Sequence, residues 1–366
     1  MGREAVPGSG PVFRWNQADP GPSAPRRVAS KKRLVIGVLL LVVLIAVAGS
    51  WAIHLVTRRP VLQVVPIPIA SRGPGTVSAN FENNLVLGVV QAADVQITPD
   101  GRKVPPLSEI RGLAVSWDGA RIYAADPGTG VVTVFDRSGK ALKVIGSEGK
   151  GKLRGPTTVA EAPDGRIFVV DRLENRLVVF DSNGVYLEAF RPANMPSNFA
   201  FVPISVAFSK DGAFYLGDGD GPVYVFDKER NLQRRLTPPG GVFQSAWGVS
   251  VNSAGQVAVT DSSNMRAFVF RADGTLQATL GSAGSGSSSL SLPRSIAIDE
   301  RGRVFVSDTF SHRIQAYSAD GAYLGYLGQE GNLDGQLNFP EGVAVDNEGA
   351  LYVADRGNKR VQSWRY

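Results

Sequence analysis

A segment of about 46 residues recurs six times in this chain, and that self-similarity restricts the fold more than any local feature. Each copy opens with a short apolar run: GLAVSW, TVAEA, ISVAF, WGVSV, SIAID and GVAVD. A turn follows, placing Gly119, Gly165, Gly212, Gly255, Gly302 and Gly349. The second runs, RIYAAD, RIFVVD, AFYLGD, QVAVTD, RVFVSD and ALYVAD, end on Asp126, Asp171, Asp218, Asp261, Asp308 and Asp355, spaced 45, 47, 43, 47 and 47 residues apart. A third run comes next, such as RLVVFD or PVYVFD, then a turn and a fourth run such as LEAF or LQATL.

The runs alternate in polarity and are rich in β-branched and aromatic residues, which is the pattern of strands, and glycine-containing turns join neighbours as hairpins. One four-stranded sheet cannot bury both of its faces. Six in series do so by stacking radially, which predicts an all-β, six-bladed β-propeller. No segment after residue 58 keeps a 3.6-residue period, so a helical solenoid is excluded. The sixth repeat has no fourth run before Tyr366. One of two strand-like runs ahead of the first repeat, at 84–90 and 94–99, is therefore expected to complete the last blade and hide its edge. If that stretch forms a sheet of its own, the ring has seven blades.

Ahead of the propeller the chain changes character. Residues 34–57 contain no Asp, Glu, Lys or Arg. That length suits a bilayer core of about 30 Å, so a single transmembrane α-helix is expected. Arg26, Arg27, Lys31, Lys32 and Arg33 precede it and Arg58 and Arg59 follow, which predicts a cytoplasmic N-terminus and an extracytoplasmic propeller at a cell membrane. The rival is a cleaved signal peptide, with Ala46-Val47-Ala48 as the processing site. The division expected is a disordered basic tail at 1–33, a signal anchor at 34–57, a Pro/Gly-rich stalk at 58–80 and the propeller at 81–366. The net charge of +6 splits unevenly: residues 1–80 carry ten Lys/Arg against Glu4 and Asp19, leaving the remainder at −2. A near-neutral domain argues against nucleic acid as the partner. The chain has no cysteine, which removes disulfides, thiolate metal sites and cysteine nucleophiles together.

The sixth copy reads Pro340-Glu341-Gly342-Val343-Ala344-Val345-Asp346, then Gly349 to Asp355, then Asn358-Lys359-Arg360-Val361-Gln362. This pattern resembles the NHL repeat, and copies two, four and five match it well, while one and three are degenerate. The resemblance spans roughly residues 107–366 and implies a six-bladed propeller. As to function it implies less: such propellers bind protein, peptide or RNA, and related ones are lyases or lactonases. A membrane helix followed by such a propeller also resembles the sensor halves of some bacterial receptor kinases, although no kinase domain precedes the helix here.

Two sets of residues stand out. The six aspartates are followed five positions later by Arg176, Arg266, Arg313 and Arg360 in four copies. An Asp closing one strand and an Arg opening the next suit a structural, hydrogen-bonded pair better than a ring of metal ligands. Asn264 and Asn358 fit turn positions. The second set lies just before each first strand: Arg111, Thr157, Ile204, Trp247, Arg294 and Glu341. These residues differ while the framework repeats, as expected of positions freed from packing, and they gather around one end of the axis. Arg294, Glu341 and Arg111 fall on adjacent blades, opposite Ile204 and Trp247, and Arg172, Thr309 and Arg356 border the same face.

The chemistry expected there is recognition of a protein or peptide partner with one acidic and one apolar end, with no cofactor, no metal and no catalytic residue assigned. His312 is the one histidine beyond the membrane segment and its flank, too few for a histidine-ligated zinc lyase. The alternative is a metal-dependent propeller hydrolase or lyase, lactonase-like, built on carboxylates and amides.

Overall fold

In the computed structural model, residues 96–365 are described, apart from 197–198, 220 and 283–285, together with the backbone of strand Leu85–Gln91. The basic tail, the predicted membrane segment and the stalk lie outside the described residues. Among those described, no helix is long and apolar enough to cross a membrane.

Six four-stranded antiparallel sheets follow one another, the first five with their strands in sequential order. The innermost strands are Gly112–Val115, Pro156–Glu161, Pro203–Phe208, Val249–Val251, Pro293–Ile298 and Pro340–Val345. Each pairs with the Asp-bearing strand after it. The sixth sheet is completed by Leu85–Gln91, which runs antiparallel to Arg360–Arg365, so the earlier of the two N-terminal runs closes a ring of six. Among the described residues of the later run, Ile97 forms an isolated bridge with Lys103.

Burial explains why the sheets stack. Apolar side chains fall into six clusters, and each cluster draws on two neighbouring blades. Phe168, Val170 and Phe190 of blade two meet Phe208, Phe214 and Phe226 of blade three. Ile122 and Phe135 of blade one meet Tyr352 and Ala354 of blade six, which closes the circle. Every blade therefore buries both faces, as a radial array requires.

The aspartates hold the loops that lead into the blades. Asp171 is fully buried and its Oδ1 accepts the amides of Arg154 and Gly155 at 3.1 and 2.8 Å. Asp308 accepts those of Ser291 and Leu292 at 2.8 and 2.9 Å. Each thereby ties the segment before an innermost strand to the strand beside it.

The predicted arginine partners divide. Arg176 reaches Asp171 at 2.9 Å and Arg360 reaches Asp355 at 2.7 Å. Arg266 and Arg313 do not fit the expectation: Asn264 binds Asp261 Oδ2 and Gln315 binds Asp308 Oδ2. Arg266 is exposed and Arg313 lies over the Tyr326 ring. Asn264 and Asn358 end short 3₁₀ turns, each donating to its own aspartate at 2.9 and 2.8 Å.

Candidate functional site

The innermost strands surround a central channel of about 240 Å³. They approach closely because small residues stand where they cross. A Cβ on Gly342 would come within 2.8 Å of the Arg111 carbonyl oxygen, and one on Gly248 within 2.8 Å of the Ile296 amide nitrogen. Hydroxyls of one blade also bind carbonyls of the next: Thr158 reaches Ile204 at 2.9 Å, Ser205 reaches Ala246 at 2.6 Å, and Ser307 reaches Glu341. The backbone carrying the variable positions is thus fixed from the side.

Five of the six variable positions line the channel: Arg111, Thr157, Trp247, Arg294 and Glu341. Ile204 does not. It is buried among Phe243, Ala246 and Tyr215, because a short apolar side chain gains more in the gap between blades three and four than at a wet rim. Ser205 faces the channel in its place. Thr309 is also withdrawn, buried with its hydroxyl donating to the Pro340 carbonyl at 2.7 Å. Arg172 is half-buried.

The predicted opposition of a charged and an apolar side is replaced by direct contact. The Arg294 guanidinium stacks over Trp247, 4.6 Å from the ring centre. Arg356 Nε stands 3.1 Å from Glu341 Oε1, and the Arg356 guanidinium also covers the Phe339 ring at 5.7 Å. Arg111 pairs with Glu109 at 3.6 Å.

At the mouth Arg111, Arg294 and Arg356 stand with two carboxylates, Glu109 and Glu341, which leaves an excess of one positive charge. Burial pulls the Arg294 guanidinium below its ordinary value, Glu341 opposes that, and Arg111 and Arg356 add to it through like charge. The Nε atoms of Arg111 and Arg294 and the hydroxyl of Thr157 are buried without hydrogen-bond partners. Unsatisfied donors at a positively charged mouth suit an anionic group supplied from outside.

The far end of the channel holds a residue that the sequence reading passed over. Val115, Phe208, Val251, Ile298 and Val345 line it at one level, and Glu161 takes the corresponding place in blade two. Glu161 is paired with Arg121 at 3.2 Å and receives the Tyr123 hydroxyl. Burial raises its carboxyl above the usual range, and Tyr123 and Arg121 partly restrain the rise. The signal was present in the aligned first runs, where an acid breaks an otherwise apolar column.

His312 lies outside the channel lining. Its Nδ1 accepts the Phe339 amide at 3.3 Å and its ring rests 4.6 Å from that of Phe339. Among the described residues no group of three or more His, Cys, Asp or Glu is arranged to hold a metal ion.

The sequence carries NHL repeats at residues 243–270 and 337–363. It is 30% identical over 163 residues to the E3 ubiquitin-protein ligase TRIM71 of Gallus gallus, a match covering 40% of this chain and 17% of that protein. A streptogramin B lyase structure superposes with a TM-score of 0.53 at 12% identity, covering 71% of this chain and 94% of that one. A virginiamycin B lyase from Staphylococcus aureus gives 0.51 at 12%, covering 74% and 86%. A protein of unknown function from Bacteroides thetaiotaomicron gives 0.58 at 15%, covering 76% and 75%. Such likenesses show the shared propeller fold and nothing finer.

Proposed function

We propose that this chain is a membrane-anchored, extracytoplasmic binding module that takes a protein or peptide partner at the basic mouth of its propeller. The NHL repeats and the propeller fold underlie this reading, because such rings present variable loops on a fixed frame. The apolar segment 34–57 and the lysine and arginine bias around it support the membrane placement.

One observation carries the choice of face. Arg294 is stacked on Trp247 with its Nε buried and unpartnered, among two further arginines and the unpaired Thr157 hydroxyl. Trp and Arg contribute disproportionately to interfaces, and a carboxylate seated there would satisfy donors that no described residue reaches. An acidic side chain enters the mouth while an apolar neighbour covers the indole.

The test is cross-linking of the full chain in its native membrane, followed by identification of what co-purifies. A Trp247→Ala, Arg294→Ala double variant should lose that species while keeping the wild-type circular dichroism spectrum. Undiminished capture by the double variant would remove the mouth from the proposal. The metal-dependent hydrolase or lyase reading is discriminated by the metal content of the purified protein, since a stoichiometric divalent ion would favour it.

A further inference from the structure

Blade six departs from blades two, three and five at one backbone position. In blades two, three and five the residue sixteen places before the aspartate is Gly155, Val202 or Leu292. Its amide donates to that aspartate at 2.8, 3.2 and 2.9 Å. Its carbonyl accepts the amide of Arg172, Gly219 or Thr309. None of the three has a positive φ.

Phe339 occupies the same place before Asp355 and does neither. Its φ is +50°, its amide turns to His312 Nδ1 in blade five, and the Gly357 amide bonds Asn338 instead. A bulky residue with left-handed backbone is a genuine outlier, and such outliers gather at functional sites.

The consequence is an exposed aromatic surface. Phe310 is 59% and Phe339 36% exposed, with ring centres 6.3 Å apart in an edge-to-face arrangement. This pair leads toward the channel mouth: Arg356 covers Phe339 and meets Glu341, and Glu341 acts through charge on Arg294, which stacks on Trp247.

We propose that Phe310 and Phe339 form a docking platform for an aromatic side chain of an acidic peptide segment, whose carboxylates reach the arginines of the mouth. Charge complementarity selects the acidic segment, since Arg111, Arg294 and Arg356 outnumber Glu109 and Glu341. Ring-on-ring packing selects the aromatic side chain. His312 acts as a positioning residue that holds the Phe339 backbone in the orientation presenting its ring. The inference rests on the proposed function and names the chemistry of its partner.

The probe is a fluorescein-labelled peptide with one phenylalanine between two pairs of glutamates, compared with the same peptide carrying alanine, by fluorescence anisotropy on the full chain in detergent. The phenylalanine peptide should bind about tenfold more tightly, the gain from one well-placed aromatic contact. Phe310→Ala should bring that ratio close to one while leaving affinity for the alanine peptide unchanged. Phe310 is exposed, so its removal should also leave the unfolding midpoint unchanged. His312→Ala keeps both rings, yet should lower the ratio and shift the Phe339 amide resonance as its donor returns to Asp355.

If the alanine peptide binds equally well, the platform is refuted and the basic mouth stands. If neither peptide binds, the acidic-partner reading of the mouth falls with it. Tighter binding of an oligothymidylate that is sensitive to Phe310→Ala would overturn the peptide assignment in favour of stacked bases.

Discussion

The guanidinium of Arg294, on blade five, lies 4.6 Å from the ring centre of Trp247 on blade four, so one cation covers one aromatic across a blade boundary at the channel mouth. The contact joins residues 47 positions apart, one repeat length. Trp247→Ala is expected to weaken partner binding by about 2 kcal/mol, as central aromatic residues do. Its effect on folding should stay below about 1 kcal/mol, the scale of a partly exposed cation–π contact. Isothermal titration with the captured partner, beside urea unfolding, checks both figures.

The buried Asp355–Arg360 pair should behave differently. Arg360 side-chain nitrogens bind Asp355, Leu333 and Gln336, and the arginine is only 3% exposed. Arg360→Ala strands a buried carboxylate and should cost about 3 kcal/mol or more. Arg266→Ala, at the same place in blade four but exposed, should stay within about 0.5 kcal/mol. Equal losses at the two sites would refute the division between them.

Glu161 predicts a pH dependence with a definite sign. Burial raises its carboxyl above the ordinary carboxylate range, so the folded chain holds that proton more firmly than the unfolded one. Its contribution to stability is fully present below the unfolded value and is lost as pH rises through the folded one. Glu161→Gln should therefore be more stable than wild type at neutral pH, and the difference should vanish in mild acid. Urea midpoints at several pH values decide this, and a constant difference would count against it.

The absence of cysteine makes the membrane placement testable with single introduced thiols. Ser182→Cys, at an exposed turn of the propeller, should react with a membrane-impermeant maleimide on intact cells. Ser9→Cys, in the basic N-terminal stretch, should react only after lysis. The reverse pattern would invert the topology.

How much of this was legible beforehand follows from the range of the interactions involved. Strand alternation and hairpin glycines act over a few residues, so the runs ending at Asp126 and Asp355 could be placed directly. Closure by Leu85–Gln91 was also readable, because an incomplete sixth repeat needs a partner. The direction taken by a side chain at the mouth is decided by its neighbour a full repeat away. Ile204 was therefore expected at the rim but packs against Phe243 and Ala246, and Trp247, expected to oppose the charged set, lies under Arg294. The turned backbone of Phe339 has no local signature, since it depends on an imidazole from another blade. Glu161 could have been found, as an acid interrupting a column of Val, Ile and Phe.

The ring has a seam, and the seam is made by the part of the chain nearest the predicted anchor. Leu85 pairs with Arg365 and Gln91 with Arg360, so this join links the two ends of the propeller by backbone hydrogen bonds, with no disulfide to lock it. Tension transmitted through the residues before Leu85 would load this strand pair ahead of any other, and a tug from the bilayer side would act as a latch release on the whole wheel. Under such a load, one seven-residue strand would stand between the closed ring and its opening.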